Sequence, residues 1–462
     1  MKTVLQKYSE ALYRAGLSFS VFLVAVLTGG KTERLAPFIV ALLLLVCALL
    51  LVQKSARLIT LPFLHLTLLL IFCYDSFSVF IQYVWLAPVV VIALGVYLWR
   101  VRPPLVKGPS FWALVLVSAA TLLGGVGMIA AADYFRPASL VFMVGLGPGL
   151  LFSYWIVKNE FRVPAVREGL RVDLLYWGVT AAVITVAFLV PRFIEARTLF
   201  LIFTVQWSNN MATILMIAMP AALMQKKRDL RHYVLAFLMF GAVIMLGSRG
   251  GALFIGIELI VCCFFAWRQE TDYVHRLWNR FYFAMVLLVG GYCLWFVLAN
   301  AEAFQLVTTN ETRAQMLRRG FEDFFENPLF GSGLGYRGNA DLYSGKQGTI
   351  NWYHTFIAQV VGGLGAFGVL AWCYQLYVRF RLAWRARHEK ECGFALCYLG
   401  LFLMSMVNPG EFCPVPYAFL AVCFFALLEC HLGISETPFS SCFLIPFRCF
   451  FTKKQQKADS VQ

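Results

Sequence analysis

Long apolar runs dominate this sequence and constrain its fold more than any other feature. They are roughly 17–24 residues long, the length at which an α-helix crosses the hydrocarbon core of a bilayer, about 30 Å thick. Sixty per cent of the 462 residues are apolar and the mean hydropathy is +0.74, more than a soluble domain requires. We therefore predict an all-α polytopic transmembrane helical bundle that forms a single integral membrane domain over residues 1–462.

The apolar runs predict about 12–14 transmembrane helices. Candidate centres lie near residues 22, 43, 66, 88, 121, 148, 182, 217, 240, 259, 290, 365, 401 and 423. The run after Lys2, Lys7 and Arg14 lacks a small-residue cleavage site. We expect it to remain as the first helix rather than to be removed as a signal peptide.

Basic residues collect in alternate connections between the predicted helices. The net charge is +15, but the lysines and arginines form no basic domain, so nucleic acid is not an expected partner. Their bias to one side follows the positive-inside rule. It predicts a protein of the cytoplasmic (inner) membrane with both termini cytoplasmic and a cytoplasmic tail at 432–462. The predicted cytoplasmic connections are 54–57, 100–107, 158–171, 226–231, 268–280 and 379–390.

Cysteine placement gives no sign of a disulfide framework. Nearly all of the 13 cysteines fall in apolar runs or in the C-terminal tail, and only Cys413 falls in a predicted outer loop. A single outer cysteine has no disulfide partner.

The predicted outer side carries one large extracytoplasmic loop, 300–353. Within it, TTNETRAQMLRRGFEDFFENP is typical of an amphipathic helix, with Thr308 and Glu311 as a capping box and Pro328 after its end. Its apolar stripe is expected to lie either on the membrane surface or on the helix bundle, and it consists of Leu317, Phe321, Phe324 and Phe325. The glycine-rich stretch LFGSGLGYRGN then predicts a turn back towards the membrane.

His354 is the only one of the six histidines that the predicted topology places on the outer side. It stands where a polar stretch gives way to the next apolar run. Two interpretations remain open for it. The imidazole can anchor a helix end at the interface, or it can act as a general base, since an imidazole accepts a proton from a hydroxyl near neutral pH.

Arg249 lies in GSRGG, between two apolar runs with no other charge nearby. Placing a guanidinium within a membrane costs free energy. Two interpretations of Arg249 therefore stay open. Arg249 can snorkel into the headgroups, or it can meet an anionic ligand in a water-filled cavity, where the flanking glycines allow a phosphate to approach the backbone.

Further arginines of the predicted outer side are candidates for binding an anionic ligand, but only as a set. Individually, each arginine is best explained as a solvated surface charge. Together they suit a diphosphate, and they are Arg313, Arg318 and Arg319 of the amphipathic helix and Arg192 and Arg197 of the segment 190–209. Glu411, in NPGEFCP, caps a turn, orients the base or binds a sugar hydroxyl. The sequence has no HExxH, P-loop or DxD motif, so we expect no cofactor and no metal site.

These segments resemble the superfamily of O-antigen ligases and polymerases. The resemblance rests on NETRAQMLRRGFEDFFENPLFGSGLGY followed by NWYHTFIAQVVGGLGAFGVLAW, and on GSRGG, which is similar to the "SRG" element of that family. Arg249, Arg313 and His354 follow the family order, and Tyr336 closes the turn motif. The resemblance covers about residues 240–370. One departure is Thr355, where many members have asparagine.

The resemblance implies a metal-independent, inverting glycosyltransferase with a glycan on undecaprenyl diphosphate as donor. It implies that His354 deprotonates the acceptor hydroxyl, and that Arg249 and Arg313 bind the diphosphate. Secondary roles fall to Arg318, Arg319, Arg197, Tyr336 and Glu411. The partners are the lipid-linked donor, a glycan or lipid-glycan acceptor, and the bilayer.

Three functions stay open, and the first two share one donor chemistry. A polymerase joins repeat units, and this is the reading we favour as the broader class. A ligase transfers the finished glycan to lipid A core or another envelope acceptor. A lipid-linked oligosaccharide flippase, by contrast, is expected to place its charges in a central cavity near the membrane midplane, whereas this chain is predicted to concentrate them on one face.

Overall fold

The computed structural model describes residues 2–73, 82–128, 137–196, 208–225, 229–299, 310–334, 353–413 and 415–434. Throughout these ranges the regular secondary structure is helical. In chain order the α-helices are α1 Lys2–Thr28, α2 Thr32–Val52, α3 Thr60–Phe72, α4 Ala87–Val101, α5 Pro109–Leu123, α6 Pro137–Leu146, α7 Pro148–Glu160, α8 Pro164–Ala196, α9 Ser208–Leu223, α10 Leu230–Met245, α11 Arg249–Arg268, α12 Tyr273–Ala299, α13 Asn310–Glu326, α14 Phe356–Ala386, α15 Cys392–Ser405 and α16 Val415–His431.

The predicted helix centres all fall inside observed helices. Seven helices of the described chain are long and apolar enough to cross a membrane, and five shorter apolar helices accompany them. The chain is therefore a polytopic all-α membrane protein, as predicted. Several helices are nevertheless short for a full crossing: α15 has 14 residues, or about 21 Å at about 1.5 Å per residue.

The core of the bundle is built around α9. All residues of this helix except Asn209 and Asn210 are buried, and α8, α10, α11 and α15 pack against it. Small residues allow close approach of the helices. A Cβ placed on Gly178 of α8 would lie 2.4 Å from Cβ of Ala218, so glycine is required there. Small residues at helix contacts are the usual means of packing in a membrane, where no hydrophobic force drives helices together.

Several basic residues lie inside helices rather than in cytoplasmic connections, and this corrects the sequence-based assignment. Lys158, Arg171 and Arg379 are at most 4% exposed. Each pairs with an acid of another segment, at Glu429, Glu391 and Glu411 respectively. Neighbours along the chain do not reveal these pairings, because the carboxylates come from distant positions.

The amphipathic helix is confirmed as α13. Met316, Gly320 and Asp323 are buried, and this face packs on α14. Leu317, Phe321 and Phe325 are 36%, 41% and 78% exposed, so most of the predicted stripe does not lie on the bundle. The expected position of these residues on the membrane surface stays a prediction. The proposed capping residue Thr308 lies outside the described residues, as does the side chain of Glu311.

Candidate functional site

Helix α14 is broken near its start. Gly365 has φ 63° and ψ −163°, a conformation that is essentially restricted to glycine. The sequence predicts a helix centred near residue 365, and the structure places the break at that centre. Because hydropathy stays high across GGLGAFG, the apolar pattern gave no signal of the break.

The turn that follows α13 fills this break. Ser332 and Gly333 donate backbone hydrogen bonds to the carbonyls of Gly362 and Gly363, both at 2.8 Å. In return, the Ala366 and Phe367 amides donate to the carbonyls of Pro328 and Leu329 at 2.8 and 3.1 Å. Backbone groups released by the break are thus paired with NPLFGSG, which gives a physical reason for both glycine-rich motifs.

Two more contacts join α13 to the start of α14. Gly320 and Gly362 meet backbone to backbone, since a Cβ on Gly362 would lie 2.6 Å from the Gly320 carbonyl oxygen. Next to His354, the buried Tyr353 hydroxyl donates a hydrogen bond to the buried carboxylate of Asp323. Burial raises the pKa of the Asp323 carboxyl, and the Tyr353 hydrogen bond opposes this shift. The arginine-bearing helix α13 is thereby held against the segment that carries the histidine.

His354 lies directly before the N-terminal cap of α14. The cap is Thr355, whose Oγ1 accepts a hydrogen bond of 3.1 Å from the Ala358 amide. His354 itself has φ 52° and is half-buried. Only Arg102 shares a positive φ among the described non-glycine residues. Such strained backbone concentrates at functional sites, and here it turns the imidazole-bearing residue out of the helix that follows.

Arg249 is the first residue of α11, and a network of polar side chains holds its helix end. Ser248 is the cap: its Oγ accepts from the Gly251 amide at 3.2 Å and donates to Oδ1 of Asn209 at 2.7 Å. The Asn209 amide in turn donates to Oδ1 of Asn408 at 3.4 Å. Arg249 is half-buried.

One short segment contacts both helix ends. We call Asn408–Phe412 the NPGEF turn. Val407, just before it, lies against Gly250, with 2.8 Å between its Cγ2 and a Cβ placed on that glycine. Phe412, at its other end, packs on Phe356, with ring centroids 5.7 Å apart. The structure therefore brings the start of α11, with Arg249, and the start of α14, with His354, to the same end of the bundle, which we call the site end.

The other candidate residues divide into three groups. The backbone of Arg313 lies in α13, and its side chain is outside the described residues, as are Arg197 and Tyr336. Arg318 has an 82% exposed side chain that pairs with Glu322 at 2.9 Å, and the same glutamate lies 3.9 Å from Arg319. Glu411 is 1% exposed and is engaged by Arg379 within the bundle. The roles assigned to these residues stay predictions.

Sequence reasoning missed Asn209, Asn408 and Gly365. The two asparagines are 199 positions apart, and Asn408 falls in NPGEFCP, where only Glu411 was considered. The NPGEF segment offered one available signal, because asparagine, proline, glycine and an acid interrupt two apolar runs there. Such a polar interruption at membrane depth points to a site.

Fold and site together define a multi-pass membrane protein with arginine and histidine at the ends of neighbouring helices. Residues 234–373 match the O-antigen ligase family. This stretch includes Arg249, α13 and His354, and it confirms the resemblance to the ligase and polymerase superfamily, whose members have a glycosyltransferase-type function. No curated protein matches the chain.

Proposed function

We propose that this protein is a membrane glycosyltransferase that transfers or polymerises a glycan carried on undecaprenyl diphosphate, at the extracytoplasmic face of the cytoplasmic membrane. The observation that carries the proposal is the convergence of the Arg249 and His354 helix ends on the NPGEF turn. A base and a fixed cation at one end of a membrane bundle suit a reaction between an acceptor hydroxyl and an anionic lipid.

In the proposed reaction, His354 accepts the proton of the acceptor hydroxyl while that oxygen attacks the anomeric carbon of the donor. The bond between this carbon and the phosphate oxygen breaks, and undecaprenyl diphosphate leaves with both electrons. Attack from the opposite side inverts the anomeric centre.

Arg249 and Arg313 are the residues we assign to the diphosphate. The forked guanidinium binds two phosphate oxygens at once and stabilises the charge that develops as the bond breaks, without a metal. The N-termini of α9, α11 and α14 meet at the site end, and helix N-termini favour anions. The site end thus combines two independent sources of positive potential.

A flippase is less well supported by the interior of the bundle. Arg379 and Glu411 do place charges there, but they pair with each other. The cavity beside Arg379 has a volume of only about 10 Å³, close to that of a single water molecule. This cavity is too small to hold a lipid diphosphate.

The decisive experiment incubates the purified full-length protein with the lipid-linked glycan extracted from its host. We expect His354→Ala to lower kcat by about 10²–10⁴-fold, the usual contribution of a general base. Arg249→Ala is expected to weaken binding of undecaprenyl diphosphate, and Arg249→Lys to restore it poorly, because an ammonium cannot form the fork.

Matched controls come from the opposite end of the bundle. His275→Ala removes an exposed histidine that pairs with Asp272, and Arg231→Ala removes an exposed arginine that pairs with Asp229. Both are expected to keep wild-type turnover. Normal turnover by His354→Ala would refute the assignment of the base.

The product separates the remaining alternatives. Longer lipid-linked chains without added acceptor indicate a polymerase, and transfer only to an added lipid A core indicates a ligase. Movement of a fluorescent lipid diphosphate across proteoliposomes without any new glycosidic bond indicates a flippase.

A further inference from the structure

One of the buried ion pairs that the proposed reaction does not use joins α14 to the NPGEF turn. Arg379 of α14 and Glu411 of the NPGEF turn have side chains that are 4% and 1% exposed. Their contact is bidentate, with Arg379 Nη1 and Nη2 donating to the two carboxylate oxygens at 2.8 and 2.6 Å. Tyr398 of α15 completes the set, since its hydroxyl accepts from Arg379 at 2.6 Å and donates to Glu411 at 3.2 Å.

Such a pair needs an explanation because burying two charges is expensive. A protein in which apolar side chains of similar volume replace a buried ion pair is often as stable as the original or more stable. The guanidinium is also held on several sides by aromatic rings, with centroids 4.6 Å away at Tyr398 and 5.4 Å at Phe425. Arg379 therefore has little freedom to move, and the carboxylate of Glu411 is fixed with it.

The NPGEF turn depends on this anchor for its position. The Glu411 amide donates to Oγ of Ser405 at 3.0 Å, and Gly410 has φ 51°. A Cβ on Gly410 would lie 2.0 Å from the same Ser405 oxygen. The turn is therefore folded tightly onto the end of α15, and Asn408, Glu411 and Phe412 are all buried in the bundle.

The two ends of the NPGEF turn contact the start of α11, with Arg249, and the start of α14, with His354. At one end, Asn408 accepts from Asn209, which also accepts from the Arg249 cap, Ser248. At the other, Phe412 packs against Phe356 and against Trp372, with ring centroids 5.7 and 5.0 Å apart. A shift of the turn moves one helix end relative to the other.

We infer that Arg379 and Glu411 are positioning residues that fix the NPGEF turn and, through it, the spacing between Arg249 and His354. This inference rests on the proposed function for its effect on transfer, but its geometric part is measurable without any substrate. Misplacement of reacting groups by about 1 Å costs on the order of 100-fold in rate.

A disulfide reporter measures the geometry directly. A Cβ on Gly250 lies 3.7 Å from the Cβ of Val407, close to the mean separation of about 3.8 Å in disulfides. We expect the Gly250→Cys/Val407→Cys protein to form the bond on mild oxidation. Mass spectrometry of the linked peptides gives the yield of the disulfide. The variants with only one of the two introduced cysteines give the background signal.

The test variant is Arg379→Met/Glu411→Leu, which removes both charges and keeps volume. Introduced with the reporter cysteines, it is expected to lower the disulfide yield at least threefold. In the protein without those cysteines it is expected to lower kcat by roughly 10–100-fold. The melting temperature is expected to stay near wild type, because the apolar pair leaves no buried charge. Arg379→Lys is expected to be intermediate, since one ammonium cannot hold both carboxylate oxygens.

The matched control is Lys158→Met/Glu429→Leu. This pair is equally buried, with 2.5 Å between Nζ and the carboxylate, and lies at the opposite end of the bundle. It is expected to leave disulfide yield and kcat unchanged. If the Arg379→Met/Glu411→Leu variant keeps wild-type yield and kcat, the positioning role is wrong. If its yield falls while the wild-type protein transfers no glycan, the geometric role stands and the proposed function fails.

Discussion

Thr355 departs from the family pattern and still caps the N-terminus of α14. Asparagine is common at this position in the family that the segment resembles, and Thr355 caps α14 through its hydroxyl oxygen. Threonine and asparagine are both effective N-caps because each offers a short side chain with an acceptor oxygen. The helix start beside His354 is thus preserved despite the change in sequence.

Substitutions at Thr355 should therefore separate into two classes. Thr355→Asn is expected to keep stability and glycan transfer, whereas Thr355→Ala is expected to lower the free energy of unfolding by about 1 kcal/mol and to slow transfer. Thermal unfolding and donor turnover of the purified variants check this. Equal behaviour of the two variants would contradict the capping role.

Asp323 gives a prediction about pH. Its pKa is raised in the folded protein, so the folded state binds this proton more tightly than the unfolded chain. The resulting stabilisation is complete below the ordinary aspartate pKa and is lost as pH rises through the raised value. Asp323→Asn removes the titration and retains an oxygen that can accept from Tyr353.

We expect the melting temperature of the wild type, relative to Asp323→Asn, to be higher at about pH 4.5 than at about pH 7.5. Glu322→Gln, on the exposed face of the same helix, controls for the loss of one negative charge. A wild-type advantage that is larger at the higher pH would reverse the sign and refute the prediction.

The residues of the site were only partly predictable from the sequence. His354 stood out as the only histidine on the predicted outer side, and Arg249 stood out as an isolated charge between two apolar runs. Asn209 and Asn408 did not, because their role comes from a contact across 199 positions. Arg379 was misplaced for the same reason, since its partner Glu411 lies in a turn on the far side of α15.

Among the elements, the broken helix α14 allows the sharpest test. A Cβ on Gly365 would lie 2.6 Å from the Gly331 nitrogen and 2.7 Å from the Leu329 carbonyl carbon. Gly365→Ala is expected to expel the turn and to lower the free energy of unfolding by at least about 1–3 kcal/mol, the range for a residue forced into a disfavoured backbone region.

Gly256→Ala is the control for this substitution. Gly256 lies inside α11, with nothing within 4 Å of an added Cβ. Alanine is the better helix former by about 1 kcal/mol, so this variant is expected to be at least as stable as the wild type. A Gly365→Ala protein with wild-type melting temperature and transfer would show that the break tolerates a side chain.

Helix positions were predictable and helix interruptions were not. Length and hydropathy placed each predicted centre inside a helix, because an apolar run in a membrane has few alternatives to helix. The same reasoning does not detect a break in a helix whose unpaired backbone groups are hydrogen-bonded by a separate segment. Gly365 is stable in its conformation only because NPLFGSG supplies hydrogen-bond partners from 30 or so positions earlier in the chain.

At the scale of the whole molecule, the two ends of the bundle differ in charge arrangement. At the site end, uncharged asparagines join the start of α11 to the NPGEF turn, whereas the opposite end contains the buried pair Lys158–Glu429 and the half-buried pair Arg171–Glu391. The proposed function requires a single orientation in the membrane, and the basic bias of the sequence favours the site end outside.

Cysteine labelling tests that orientation. Gln315→Cys, on the exposed face of α13, is expected to react in intact cells with a membrane-impermeant thiol reagent, once any outer envelope is permeabilised. Arg231→Cys, whose parent side chain is 86% exposed at the opposite end, is expected to react only after lysis. The reverse pattern would overturn the proposed topology and the extracytoplasmic site with it.

The repaired break in α14 also has a consequence for biogenesis. A helix that enters the bilayer with unpaired amides and carbonyls is strongly disfavoured there. Translation produces the NPLFGSG turn before α14, so the partner of the break has already been made when the helix leaves the translocon. Moving α13 and its turn to a position after α14, by circular permutation, would leave the break exposed during synthesis and make the nascent chain a target for quality-control proteases.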